Sequence, residues 1–331
     1  MPSSDRYSNN DKLSIIGTTS TEVRLRNAAG EFRKSCIWVE RDNFYGNSKS
    51  DQNAAYLIVG FDTEFKTPEN PVTLDELKAG SAKYTVLSYQ VHCSVYDPAQ
   101  PNAKEWSAIC YPEAGDRIKL ADLLALAFWK GISTGAVETL PTRIYVVGHF
   151  TRADVPAFAD FKDLTSQISA VRSTFTSVDK GIKLATAFDD GSAVEKLVIL
   201  RDTMLLTPAT SKSLWELGSL VGVPKIHIDP DPERELFYKK NMDVLLQDKP
   251  DLFEQYAIND ALICVKYLER LIEMYAGILG KRKAQSASNT DCHRRRSADG
   301  KMENRSQDRP IGGRWKAEGR KKKLQQEIGS I

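Results

Sequence analysis

Cysteine is scarce and scattered in this 331-residue chain: Cys36, Cys93, Cys110, Cys264 and Cys292 form no C-x-x-C pair. Neither a thiolate zinc site nor a disulfide framework is suggested, and an intracellular, reducing location is expected. Long apolar runs are also missing. No stretch reaches the roughly 18 residues a membrane helix requires, and the polar segment Met1–Lys12 lacks the charged-then-apolar pattern of a secretion signal. No internal repeat is visible. Net charge is small, +2, but unevenly distributed. From Gly280 onward fifteen Lys and Arg face six Asp and Glu, a net of +9, which leaves −7 on residues 1–279. An acidic body suits a cation site, and a basic tail suits contact with a polyanion.

With 41% hydrophobic residues the chain can bury a substantial core. Residues 1–52, rich in Ser, Asn and Asp, read as a loose N-terminal extension with a short strand at Ser35–Val39. Strands are expected at Tyr56–Phe61, Tyr84–Tyr96 and Trp106–Tyr111, then a helix at Leu120–Trp129 and a strand at Arg143–Val147. A helix is predicted over Ala153–Phe161, with Pro156 in its first turn. Ser173–Val178 and Ile182–Phe188 read as a hairpin, and Lys196–Arg201 as a strand. A helix over Ser211–Val221, a charged loop at Asp229–Lys240 and a long helix from Asp251 to Ala276 complete the pattern. Three strands, a helix, then alternating strands and helices give an α/β fold with a mixed sheet, the ribonuclease-H-like order. Residues 53–279 are assigned to this domain. Residues 280–331 lack apolar periodicity and read as a disordered basic tail, with Arg314–Ile328 a candidate for helix formation on contact.

Three acidic motifs carry chemistry. In Phe61-Asp62-Thr63-Glu64-Phe65, the two carboxylates share one face of an extended strand and repel unless a cation lies between them. Oxygen-only ligands of this kind suit Mg²⁺ or Mn²⁺. In Gly148-His149-Phe150-Thr151-Arg152-Ala153-Asp154, the acid falls at a helix start beyond a strand, where it serves as a ligand or as a helix cap. In Tyr256-Ala-Ile-Asn-Asp260, the i, i+4 spacing places phenol and carboxylate on one helical face.

The order Asp-x-Glu, Asp, Tyr-x-x-x-Asp resembles the DEDDy 3′–5′ exonuclease superfamily of ribonuclease-H-like fold. A narrower resemblance is to the exonuclease domain of protein-primed family B DNA polymerases. It rests on the Asp-Thr after a strand at Asp202, the Lys212-Ser-Leu-Trp-Glu-Leu segment, Gly222, the charged 229–240 stretch and Lys249-Pro-Asp-Leu-Phe. The resemblance implies a two-metal-ion 3′–5′ exonuclease that releases nucleoside 5′-monophosphates from single-stranded DNA. Asp62, Glu64, Asp154 and Asp260 would hold two divalent cations, Mg²⁺ or Mn²⁺. Tyr256 would orient the attacking water and Lys212 would support the scissile phosphate. Thr63, Phe65, His149 and Phe150 would face the nucleic acid.

The second motif departs from the family, with Phe150 where an Asn is usual and Ala153 where an aromatic is usual. That puts the grip on the terminal nucleotide in doubt. Tyr-x-Asp-Thr-Asp and Ser-Leu-Tyr-Pro-Ser polymerase signatures do not occur, so the chain is read as a detached, truncated or stand-alone exonuclease, with single-stranded DNA and a separate polymerase or replication protein as the expected partners. Single-stranded RNA as substrate and a non-catalytic nucleic-acid-binding scaffold are the alternatives.

Overall fold

The computed structural model describes residues 14–17, 20–44, 55–66, 84–97, 100, 102, 104–172, 174–178, 181–188, 191–207 and 213–298, with side chains from Thr21 through Tyr275. The chain separates into two units, Met1–Tyr275 and Ala276–Ile331. In chain order the strands are β1 (Ser14–Gly17), β2 (Ser20–Arg26), β3 (Phe32–Trp38), β4 (Tyr56–Lys66), β5 (Thr85–Tyr96) and β6 (Trp106–Cys110). They continue as β7 (Arg143–Gly148), β8 (Ser169–Val171), β9 (Thr174–Thr176), β10 (Ile182–Ala187) and β11 (Ala193–Asp202). The helices are α1 (Leu120–Ser133), α2 (Thr151–Asp154), α3 (Phe161–Leu164), α4 (Thr203–Leu206) and α5 (Leu214–Val221). After them come α6 (Pro232–Lys240), α7 (Met242–Asp248) and α8 (Pro250–Ala298).

A seven-stranded mixed sheet runs in the order β1-β10-β11-β7-β4-β5-β6. β5 runs antiparallel to both of its neighbours, β4 and β6, and β7 pairs in parallel with β4 and β11. This is the ribonuclease-H-like mixed sheet with flanking helices. Among the described residues no helix is long and apolar enough to cross a membrane.

β4 is central because its apolar run packs on both faces. Leu57, Val59 and Phe61 point into the main core with α1, whereas Ile58 joins Val147, Leu217, Ile263 and Val265 beneath α8. The same alternation turns Asp62 and Glu64 toward α8 and Thr63 away from it. Gly60 lets α8 lie flat on the strand: a Cβ at residue 60 would stand 2.2 Å from the Ala261 carbonyl oxygen. That close approach brings Asp260, the preceding residue, against the end of β4.

Several local expectations are corrected. Residues 20–44 are not a loose extension. β2 and β3 form an antiparallel hairpin whose Val23 and Ile37 are buried in the main core, while its polar residues take the solvent side. The hairpin predicted between Ser173–Val178 and Ile182–Phe188 is not formed. β9 pairs with β8, and β10 pairs with β11 through a turn in which Gly191 has φ 77°. The expected helix at Ala153–Phe161 is broken into α2, a single 3₁₀ turn at Val155–Ala157 and α3, with Pro156 starting the 3₁₀ turn. The charged 229–240 stretch contains a helix, α6, capped by Asp231 accepting from the Glu233 N–H and started by Pro232. α8 is helical through Ala298. Residues 299–331, with Arg314–Ile328 among them, lie outside the described residues.

Candidate metal centre

The acids gather at the carboxyl ends of the parallel strands, where open α/β sheets place their ligand crevices. Asp62 and Glu64 lie near the end of β4, and Asp154 follows β7 by six residues. Asp202 ends β11 in register with Gly148. A register shift directly after Glu64 bends the strand at this point.

Asp62, Glu64 and Asp260 each offer an oxygen, and these oxygens lie within 4.8 Å of one another. Three carboxylates this close, partly or wholly withdrawn from water, repel each other strongly. Burial, with the charges of Asp154, Glu64 and Asp260 added, holds the Asp62 carboxyl well above its ordinary range. Burial and the neighbouring Asp260 raise Glu64 to about 8. Burial also raises Asp260, against the opposing pull of Lys225. Asp260 Oδ1 is buried and has no hydrogen-bond partner among the described residues. An unsatisfied buried oxygen beside two further carboxylates fits a hard divalent cation, which would supply the missing positive charge. Gln90, on the neighbouring strand β5, donates to Asp62 Oδ2 at 2.7 Å and fixes that carboxylate.

Asp154 stands apart from the three-acid cluster. It lies against the end of β4, where the buried Thr63 hydroxyl donates to its Oδ1 at 2.5 Å. Its side chain caps no helix. Burial raises it to about 7, and the Thr63 hydrogen bonds oppose that rise. Thr63 therefore holds an acid in place and presents no free hydroxyl to solvent. Phe65 packs against Tyr84, ring centroids 5.6 Å apart, at the margin of the core.

Tyr256 lies one turn before Asp260 on α8 and is 7% exposed. Burial and the nearby Asp260 push its phenol above the ordinary tyrosine range. His149 Nδ1 meets the Thr203 hydroxyl at 2.8 Å, and burial lowers its imidazole. Phe150 is exposed, with its backbone in the left-handed region.

Lys212, the supporting lysine that the resemblance implies, lies outside the described residues. The structure brings a different one to the acids. Lys225 Nζ is 2.9 Å from Asp260 Oδ2 and 5.1 Å from the centre of the Tyr256 ring. Burial lowers its ammonium, but Asp260 and Tyr256 outweigh that and raise it overall. It comes from the irregular Val223–His227 segment after α5, which carries no periodic signal. A lone lysine between Pro224 and Ile226 was the available clue. Asp202 was likewise visible only as an acid after a strand. It is fully buried and accepts hydrogen bonds from the backbone of Phe150, Thr151 and Met204.

No family model matches the chain. Primer-independent DNA polymerase PolB of Escherichia coli is 30% identical over 231 residues, a match that takes in 64% of this chain and 24% of the relative. The chain thus spans about a quarter of the length of that polymerase.

Proposed function

We propose that this chain is a metal-dependent 3′–5′ exonuclease of the DEDDy type, acting on single-stranded DNA. The observation that carries the reading is the Asp62–Glu64–Asp260 cluster with its unsatisfied Asp260 oxygen. The similarity to a DNA polymerase supports a nucleic-acid substrate, and DNA in particular.

Asp62, Glu64 and Asp260 would hold one divalent cation, Mg²⁺ or Mn²⁺, and Asp154 would attract a second, with Asp62 shared between them. The cations, when bound, supply Lewis acidity that makes a water nucleophilic near neutral pH. The remaining work falls to the chain. Gln90 and Thr63 keep Asp62 and Asp154 in fixed rotamers. Lys225, already charged beside Asp260, offers its ammonium to the scissile phosphate and stabilises charge that grows there during cleavage. Tyr256, kept protonated by its environment, orients the attacking water through its hydroxyl. Water attack at phosphorus breaks the bond to the 3′ oxygen of the preceding nucleotide. A nucleoside 5′-monophosphate leaves, and the strand retains a 3′ hydroxyl.

The basic residues from Gly280 onward would add backbone affinity that falls with salt. Such an exonuclease would work together with a polymerase or another replication protein. Incubation of matched 5′-labelled DNA and RNA single strands with the full chain and Mg²⁺ tests the reading. Stepwise shortening of the DNA, with nucleoside 5′-monophosphates as products, is expected. Faster shortening of RNA would make the chain an exoribonuclease, and two intact strands would leave a nucleic-acid-binding scaffold.

A further inference from the structure

Phe150 is one of two non-glycine residues with positive φ among the described residues, at φ 60° and ψ 51°. A Cβ crowds the backbone in this left-handed region, so ordinary residues other than Asn and Asp avoid it. Core packing does not compensate. The ring is 42% exposed, belongs to no core cluster and has no aromatic partner among the described residues.

What holds the turn is polar and buried. Asp202, with no exposed surface, accepts from the Phe150 N–H at 3.3 Å and from the Thr151 N–H at 2.7 Å. The Thr151 hydroxyl lies between Asp202 Oδ2, at 2.7 Å, and the Phe175 carbonyl, at 2.8 Å. The Ala153 N–H returns to the Phe150 carbonyl at 2.9 Å and starts the turn that ends on Asp154. One rigid corner therefore fixes both a candidate metal acid and an exposed aromatic ring. A strained, rigidly supported residue beside a reaction site is a mark of function when its side chain remains unused by the fold.

We propose that Phe150 is the stacking surface for the base of the 3′-terminal nucleotide, and that it grips any base without reading sequence. The inference rests on the exonuclease reading for the identity of the strand end. Stacking suits that task because every base has a π-face, and an exposed phenyl ring offers nothing that distinguishes one base from another. Asp202 maintains the ring's position through the backbone alone.

The test is fluorescence anisotropy of the full chain in EDTA with a 5′-labelled oligothymidylate, either intact or lacking only its 3′-terminal base. Phe150→Gly is the informative variant, because glycine adopts the left-handed backbone without penalty and the fold is retained. Phe150→Trp restores an aromatic surface. The wild type is expected to bind the intact strand about five- to a hundredfold more tightly than the strand missing its terminal base. Phe150→Gly should reduce the intact strand to the level of the other, and Phe150→Trp should recover the difference. Equal affinity of Phe150→Gly and wild type for the intact strand would overturn the proposal. So would a wild type that fails to distinguish the two strands or to bind them. Digestion by the wild type in Mg²⁺ is scored separately. A protein that discriminates the strands but does not cut them refutes the exonuclease reading and leaves the stacking surface standing.

Discussion

Lys225, partly buried, and Asp260, buried, form an ion pair, Nζ to Oδ2 2.9 Å, in which the lysine brings the one ammonium ion-paired to the three-acid cluster among the described residues. Replacing it with an apolar side chain removes both that charge and the group closest in kind to a phosphate ligand. Lys225→Met is expected to slow strand digestion on the order of a hundredfold, the loss typical when one charge-stabilising donor is deleted. The Mn²⁺-induced rise in melting temperature should survive, because the three acids remain. Single-turnover digestion and thermal melts of the same preparations check both halves. An undiminished rate would remove Lys225 from the reaction.

The crowded acids tie stability to pH. Glu64 and Asp154 are raised to about 8 and 7 from ordinary values of 4.5 and 3.8. A carboxyl raised in the folded state keeps its proton where the unfolded chain has lost it. Its contribution is therefore complete below about pH 4 and lost as pH climbs through 7 to 8. In EDTA the melting temperature should fall across that window, and added Mn²⁺ should restore more at pH 8 than at pH 5. Asp260→Asn should reduce the Mn²⁺ response and flatten the decline. A metal response independent of pH would contradict the assignment of these acids as ligands.

Gly60 sets the distance between β4 and α8, and an added methyl would fall 2.2 Å from the Ala261 carbonyl oxygen. Backbone cannot rotate away as a side chain can, so the helix must shift. Gly60→Ala should cost about 1–3 kcal/mol of stability, measured by denaturant unfolding. It should also weaken Mn²⁺ binding, because Asp260 is adjacent to the displaced carbonyl. Unchanged metal binding would separate helix placement from the site.

Lys196 lies in the core without exposed surface, its ammonium 2.7 Å from the Thr186 hydroxyl and 3.9 Å from the Phe44 ring centre. Burial lowers it from 10.5 to about 7. Between those values the unfolded chain holds a proton that the folded chain has released, so stability from this residue rises with pH from about 7 to 10.5. Lys196→Met should be more stable than wild type at pH 7 by about 1–3 kcal/mol. It should also lack that rise, as denaturant unfolding at pH 7 and pH 9.5 would show. A variant less stable at both pH values would mean that the Phe44 and Thr186 contacts outweigh the cost of burial.

The residues whose relationships are local were legible in the sequence. Tyr56–Phe61 announced a buried strand through its apolar run, and two-residue spacing put Asp62 and Glu64 on one face. Four-residue spacing did the same for Tyr256 and Asp260 on α8. What escaped depends on tertiary packing. The β2–β3 hairpin has one wet face, so its polar residues masked the burial of Val23 and Ile37. α6 is exposed along most of its length, with Leu236 and Phe237 open to solvent, and its charges read as a loop. Lys225 reaches Asp260 only because α5 and the segment after it fold back over α8, which no local spacing reveals.

The most direct test of the account compares wild type with Asp62→Ala/Glu64→Ala on a 5′-labelled single-stranded DNA in Mg²⁺ and in EDTA. A ladder shortening from the 3′ end is expected with wild type and Mg²⁺, and none in EDTA or with the double variant. Equal digestion by the double variant, or cleavage that persists in EDTA, would contradict it.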